Sequence, residues 1–441
     1  MTVTHSSDLR TVPDDIARRI VLPEGHGDES ALFEAYRWLR RNQPLGLAQV
    51  DGYDPLRLVS TYADVMEIER QPALFPSAGV ENKYEHSPIL RSQAEDDFTK
   101  EITGGRVWHL PVVVNLDPPE HTQVRGVAAD WFRPLQLKKW EEPIRELARE
   151  AIGRRLTGGV NELDFVQDFA LRYPLHVIMT IFGVPEADEP LMLALTQDFA
   201  GAPDPELRRS DVDALSPQAT ARQLSATLDD FRAYFAAMVE DRRARPRDDL
   251  ATVIAQARRE DGEYYPDAYT IGWFLAISTA GHDTTSSTMS TIMEQLALHP
   301  DVLAAVKADP SLIPGLVNEG LRWCSPVKHF VRQAAQDTTV GGRTVGKGER
   351  LMLLYQSANR DVDAFDDPDT FRIERRPNRH IAFGYGPHQC LGMHLARQEL
   401  RIMLEELLPR LESVQVVGER RIVRTNFLGG LRNLPVRLTL N

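Results

Sequence analysis

The residues Phe383-Gly384-Tyr385-Gly386-Pro387-His388-Gln389-Cys390-Leu391-Gly392 set one cysteine in a glycine-rich turn, just ahead of the helical pattern MHLARQELRIMLEELLPRL. Gly384, Gly386 and Gly392 permit turns and close backbone approach that other residues resist. Cys390 stands where the helical period begins, and the unpaired N–H groups of a helix start favour a thiolate over a thiol. A thiolate held in a rigid, poorly hydrated loop suits strong axial donation to a metal. Two other readings fit the same residues. One is a buried structural cysteine after a turn; the other is a zinc site, because His380, His388 and His394 surround Cys390. Their spacing matches none of the paired ligand patterns usual for zinc.

Three further groups carry chemistry. Ala280-Gly281-His282-Asp283-Thr284-Thr285-Ser286-Ser287 interrupts an apolar helical pattern over residues 266–298. Gly, Thr and Ser are poor helix-interior residues whose hydroxyls compete for backbone carbonyls, so the helix is expected to open there. A simple helix end would use the same residue types. Glu319 and Arg322 lie on one helical face and can pair, although exposed pairs of this kind are worth only ~0–1 kcal/mol. The stretch Asp117-Pro118-Pro119-Glu120-His121-Thr122-Gln123-Val124-Arg125 opens another helix, with His121 and Arg125 one turn apart. As a solvated helix start it would favour its acidic residues anyway.

The elements that must position these groups are mostly helices. Apolar residues recur at three- and four-residue intervals over residues 30–42, 137–156, 164–184 and 218–244. Strand-like stretches are short, over residues 45–60, 326–356 and 412–440. Residues 76–118 and 357–389 lack a clear period and read as long connections, which in a folded domain are usually functional. The charged piece RSQAEDDFTKE within the first has no evident place. With no repeat or linker, the 441 residues read as one mainly α domain with small β-sheets, residues 1–28 being an irregular N-terminal segment.

Composition removes several function classes. Hydrophobic residues make up 42% and charged residues 26%, which fits a folded chain with a large core rather than a disordered one. A net charge of −13 argues against nucleic-acid binding. The two cysteines, Cys324 and Cys390, make a disulfide framework implausible and point to a reducing compartment. No apolar run is long enough to span a membrane, and the polar N-terminus is unlike a secretory signal, so a cytoplasmic protein is expected.

Taken in order, these motifs resemble those of the cytochrome P-450 superfamily of haem-thiolate mono-oxygenases. The resemblance implies that fold, with haem between the long central helix and the cysteine-bearing helix. It implies Cys390 as the iron ligand of haem b, with Phe383 packed beside the thiolate and Gly392 close to the cofactor. His121, Arg125, Arg332 and His388 would hold the propionates, since two buried anions need cationic hydrogen-bond donors. Ala280 and Gly281 would leave room for O₂ beside the haem, Thr284 would hydrogen-bond the oxygen ligand, and Asp283 would carry protons towards it. Glu319 and Arg322, completed by Arg375, would be structural. Pocket walls would come from Ile277, Ala280, Val327, Phe330, Phe427 and the 76–118 loop. Electrons would arrive from a ferredoxin and its FAD-containing reductase, docking near Arg133, Lys138, Lys139 and Arg397.

Stretches such as YPLHVIMTIFGVP from Tyr173, DEPLMLALTQDF from Asp188, PVKHFVR from Pro326 and TNFLGG from Thr425 resemble the bacterial α-terpineol-oxidising branch. The implied substrates are monoterpenes or compact alkyl-aromatics, with larger polycyclic compounds as the alternative. Two other functions are distinguishable from a mono-oxygenase. A haem-based gas sensor or carrier would gain nothing from the Asp283/Thr284 pair, and a zinc hydrolase would lack a haem spectrum.

Overall fold

The computed structural model describes residues 11–80, 84–201, 204 and 217–441. Its axis is a central helix in two parts, Asp267–Ala280 and Asp283–Leu298. The first is apolar all round, as a helix enclosed by others should be: Trp273, Phe274, Leu275 and Ile277 are all buried. The second buries Thr, Ser and Met instead, and its hydroxyls bond back to the preceding turn. Thr288 donates to the Thr284 carbonyl at 3.0 Å and Ser290 to that of Ser286 at 2.8 Å. Such bonds satisfy buried hydroxyls without outside partners. The expected opening falls between the parts, at Gly281 and His282.

Other helices pack around this axis because each supplies an apolar stripe. Phe182 of the helix Tyr173–Phe182 and Phe235 of Pro217–Ala244 meet Phe274 edge to face, with centroids 4.8 and 5.5 Å away. Such pairs add ~0.5–1.5 kcal/mol each beyond their burial. On the other side the helix Ile313–Cys324 comes close because Gly320 has no side chain; a Cβ there would meet Ile292 Cγ1 at 2.4 Å. The helix Met393–Leu407, which follows Cys390, buries Leu395, Leu400, Met403 and Leu404 in the same core.

The strands form small sheets at the margin. One runs Leu45–Ala48, Leu56–Val59, Arg350–Leu354, His329–Gln333, with antiparallel, parallel and antiparallel pairings. Its register sets Arg332 opposite Leu351 and Phe330 opposite Leu353. A second sheet pairs Pro435–Leu440 with both Gly159–Asp164 and Leu411–Val416. Two-stranded ribbons join Arg421–Ile422 to Leu431–Asn433, and Thr338–Val340 to Arg343–Val345. The mainly α class is as expected.

Several boundaries differ from the sequence expectation. Of the segment 1–28, residues 1–10 lie outside the described residues. The rest is not irregular: Asp14–Val21 is a helix that buries Ala17, Ile20 and Val21, followed by a 3₁₀ turn at Pro23–Gly27. Eight residues are too few for a persuasive period, yet three apolar positions on one face dock it.

The 76–118 connection, of which 81–83 lie outside the described residues, contains the helix Gln93–Thr103. This is the unplaced charged piece. Ser92 and Glu95 cap each other's backbone N–H groups at its start, and Gly104 closes it at φ +70°. The Ser-x-x-Glu signature was present, and the mostly polar surface hid it. Residues 164–184 form a wide π turn, Phe165–Ala170, before the helix from Tyr173, and 137–156 begins with a separate 3₁₀ turn ahead of Glu141–Arg155.

Candidate active site around Cys390

Cys390 ends a loop that its own backbone closes: its N–H donates to the Phe383 carbonyl at 2.8 Å, and that of Gly384 to Ile381 at 2.9 Å. Gly384 and Gly386 take φ values of +67° and +68°, where other residues are strained. Asn359 fixes the loop's approach, accepting the Ile381 N–H on Oδ1 at 2.8 Å. Enclosure by protein pushes the Cys390 thiol up, while the Gly392 N–H and the cations of Arg125 and Arg397 pull towards the thiolate. Arg397 also lies over the Phe383 ring, 4.6 Å from its centroid, so that the ring packs beside the loop.

Facing this loop is a cavity of about 470 Å³. The break in the central helix supplies one wall through Ile277, Ala280, Gly281 and Thr284; the cysteine loop supplies another through Phe383, Cys390 and Gly392. Val327, Phe330 and Phe427 complete the side nearest the four-stranded sheet. The predicted pocket residues thus border one cavity. Gly281 is required by packing, since a Cβ would meet Ile178 Cγ1 at 2.9 Å. Val112, Val113 and Val114 and the indole of Trp108 add apolar wall from the 76–118 connection.

At one edge of this cavity lies a polar cluster. Arg125 donates to the Gln389 carbonyl at 2.6 Å, Arg332 is buried, and the rings of His121 and His388 meet at a tilt of 43° with centroids 4.2 Å apart. His388 Nε2 stands 3.3 Å from Ser77 Oγ. Burial, then the neighbouring cations Arg125 and Arg332, lowers His121 to about 4 and holds it neutral. Both ring nitrogens of His121 are buried without a partner. Unsatisfied buried nitrogen beside two arginines fits an anionic acceptor at this edge. The thiol ringed by cations, the cavity and this cluster therefore fit a porphyrin with carboxylate arms: Cys390 would hold its iron, and His121, Arg125, Arg332 and His388 its propionates.

Asp283 and Thr284 do not face the same space. The Thr284 hydroxyl donates to the Ala280 carbonyl at 2.9 Å and borders the main cavity. The Asp283 carboxylate instead borders a second cavity of about 50 Å³, with Gln167, Gln197, Ser286, Ser287 and Arg432. Gln197 donates to its Oδ1 at 2.8 Å, while Oδ2 is buried without a partner. Burial raises the Asp283 pKa, against the pull of His282 and Gln197. His282 anchors the break, its Nε2–H donating to the Leu171 carbonyl at 2.6 Å. Nothing in the local sequence marked Gln197, which comes from the separate helix Glu189–Gly201.

Behind the cysteine loop, Glu319, Arg322 and Arg375 form the expected buried cluster, with Arg375 Nε 3.2 Å from Glu319 Oε2. It touches neither cavity.

The profile of the family described as Cytochrome P450 matches residues 106–438. The chain is 46% identical to cytochrome P450-terp of a Pseudomonas species, over 97% of this chain and 98% of the relative. It is 32% identical to linalool 8-monooxygenase of Pseudomonas putida, over 91% of this chain and 94% of the relative. Its structure superposes on the crystal structure of CYP108D1 from Novosphingobium aromaticivorans with a TM-score of 0.88 at 38% identity, covering 98% of this chain and all of the other. With the site geometry, these likenesses place the chain in the cytochrome P450 family, as a mono-oxygenase that carries thiolate-ligated haem b and uses O₂ as co-substrate.

Proposed function

We propose that this mono-oxygenase hydroxylates a compact hydrophobic molecule, a monoterpene of the α-terpineol kind or an alkyl-aromatic, using electrons from a ferredoxin and an FAD-containing ferredoxin reductase. The observation that carries the reading is the cavity bordered by Thr284 and Cys390, whose apolar lining includes Ile277, Ala280, Val327, Phe330 and Phe427. Its volume of about 470 Å³ is unexceptional for a small-molecule site. The same space has to take cofactor as well as substrate, which favours a compact molecule. The likeness to P450-terp and to linalool 8-monooxygenase points the same way.

Bound at Cys390, the haem supplies oxygen activation and insertion into a C–H bond. The chain supplies the rest. Cys390 would hold the iron through its thiolate, the apolar walls exclude water, and Ala280 and Gly281 keep the helix thin where O₂ would have to fit. Thr284 holds a hydroxyl over this space, with its proton lent to Ala280 until a better acceptor arrives. Asp283, behind the helix break, is the proton source; its orphaned Oδ2 borders the small polar cavity, a space suited to bridging water. A proton would pass from that side to the Thr284 side through the opened turn.

For the electron donor, Arg133, Lys138 and Lys139 are exposed beside Leu135, itself 80% exposed. Such a cationic rim with an apolar centre suits a small acidic iron–sulfur protein. Arg397 is tied to Asn318 at 3.0 Å and to Phe383, so it serves the loop rather than a partner. We read the chain as one domain. No helix among the described residues is long and apolar enough to cross a membrane, and a chain whose two cysteines are both unpaired suits the cytoplasm.

A screen of terpenes and alkylbenzenes for the low-spin to high-spin shift tests the substrate class. Shifts with these compounds support it; shifts confined to steroids or other polycyclic molecules overturn it.

A further inference from the structure

A carboxyl group that this mechanism does not use is buried against the cofactor edge. Glu69 ends the helix Tyr62–Glu69 and is 5% exposed. Its Oε1 accepts a hydrogen bond of 2.7 Å from the buried Tyr355 hydroxyl, and the backbone N–H of Tyr385, within the cysteine loop, also donates to it. Oε2 is buried without a partner. Glu69 borders the same cavity as Gly384, His388 and Cys390, and a Cβ on Gly384 would lie 3.4 Å from its Oε1 and 3.9 Å from its Oε2.

The charges around it can be counted. Arg332, buried on the strand His329–Gln333, is the cation that draws Glu69 towards ionisation, and Arg125 is the other cation at this cavity edge. Arg70 turns outward and lies over Tyr385, 5.0 Å from its centroid. Asp117 is occupied by the backbone N–H groups of Ser77 and Ala78. Burial first, then nearby cations, keeps His121 and His388 neutral. Two propionates held at this edge would engage both arginines. Glu69 would then be a third carboxyl group at this edge, itself only 5% exposed. Burial outweighs the pull of Arg332, the Tyr355 hydroxyl and the Tyr385 N–H and lifts it to about 7, and added negative charge nearby can only lift it further.

We propose that Glu69 is a proton-binding site coupled to the redox state of the cofactor, its Oε2 taking a proton from solvent as the redox partner delivers an electron. On reoxidation the electron leaves the iron and the proton returns to solvent, so charge balances in both directions. The physical link is Coulombic: an electron added in a low-dielectric site raises the proton affinity of a carboxyl group beside it. The proposal rests on haem occupying the cavity at Cys390. Glu69 would be a positioning residue if it only anchored the cysteine loop through Tyr385, and the test separates the two roles.

The midpoint potential of the holoenzyme is measured from about pH 6 to pH 9 in the wild type, Glu69→Gln and Tyr355→Phe. The wild-type potential is expected to become more negative as pH rises, and Glu69→Gln, which keeps the shape but cannot titrate, to flatten that dependence. Tyr355→Phe removes a donor that favours the ionised carboxylate, so its sloping region should move to higher pH. Equal slopes in wild type and Glu69→Gln overturn the proposal. Should Glu69→Gln fail to retain haem, an unmoved slope in Tyr355→Phe overturns it instead. The reduced, carbon-monoxide-treated spectrum of the wild type checks the haem-thiolate assignment separately, so its failure cannot be mistaken for failure of the coupling.

Discussion

Glu319 and Arg322, three residues apart on one helix, meet through two hydrogen bonds of 2.9 and 2.7 Å with both side chains wholly removed from solvent. Arg375 comes to the same carboxylate from the loop ahead of Cys390, and Asn378 donates to it at 3.0 Å. The surplus cation is shared among backbone carbonyls: Arg322 donates to Asn359 and Pro368, Arg375 to Asp366, Asp367 and Thr370. One ion cluster thus gathers the helix, the 357–389 connection and Asn359, which holds Ile381. Removing the carboxylate leaves two buried guanidiniums without a counter-ion, a loss of ~3–5 kcal/mol. Thermal or denaturant unfolding of Glu319→Gln should show a destabilisation of that order. A loss under ~1 kcal/mol, the value of an exposed pair, would contradict the assignment.

The same cluster sets an acid limit. Burial alone would push the Glu319 carboxyl up, but Arg322, the Arg372 N–H and Arg375 outweigh it and hold it below its ordinary value of 4.5. A depressed folded-state value means that the stabilisation is complete above the unfolded value and is lost as pH falls through the folded one. The stability difference between wild type and Glu319→Gln should therefore hold at neutral pH and shrink on acidification below the ordinary value of 4.5. Unfolding curves collected across that range check the sign.

Thr284 and Asp283 are neighbours in sequence that border different cavities, so their substitutions should be separable. Under the proposed relay, Thr284→Ala keeps Asp283 as the source and removes the hydroxyl that would steer its proton; electron consumption should continue while product per electron falls. Asp283→Asn removes the source, and turnover should slow by about 10²-fold, the lower end of general acid–base contributions, with a larger solvent isotope effect. Unchanged coupling in Thr284→Ala would count against the relay without touching haem binding.

Much of this site was legible because its chemistry is local. The cysteine loop, the helix break and the Glu319/Arg322 pair each occupy fewer than about a dozen consecutive residues, where spacing alone places side chains on one face. Gln197, Glu69 and Tyr355 were not legible, because each matters only through contacts with chain segments far away in sequence, 86 residues between Gln197 and Asp283 and 286 between Glu69 and Tyr355. Local rules cannot show such pairs. That Asp283 and Thr284 border different cavities follows from the helix itself, on which adjacent residues project about 100° apart. The strand Gly159–Asp164 was overlooked because its side chains are half-exposed and its partner is the C-terminal strand.

The helix Gln93–Thr103 offers a test of the connection over the cavity. Ser92 Oγ accepts the Glu95 N–H at 3.3 Å, while Glu95 Oε2 accepts the Ser92 N–H at 2.7 Å. Arg91 and Glu95 also border the main cavity. Ser92→Ala should cost ~1 kcal/mol through the lost cap, and loosening this wall should weaken the spin-state response to substrate more than it lowers global stability. Equal affinity in wild type and variant would separate this helix from the binding site.

Gly386 gives the strictest test of the cysteine loop. It holds φ +68°, and a Cβ there would fall 2.1 Å from the Glu69 carbonyl oxygen, so a side chain meets backbone that cannot turn aside. Gly342 provides the control: its φ is +75°, and nothing lies within 4 Å of the point a Cβ would occupy. Both alanine substitutions incur the left-handed conformational cost of ~1–2 kcal/mol, but only Gly386→Ala must also part the loop from the end of the Glu69 helix. Gly342→Ala should therefore unfold slightly earlier with an unaltered thiolate spectrum. Gly386→Ala should lose more stability and show part of its haem without the far-shifted absorption of thiolate ligation, because moving the loop moves Cys390. Matching spectra for the two variants would mean that the loop can yield at that point without disturbing the ligand.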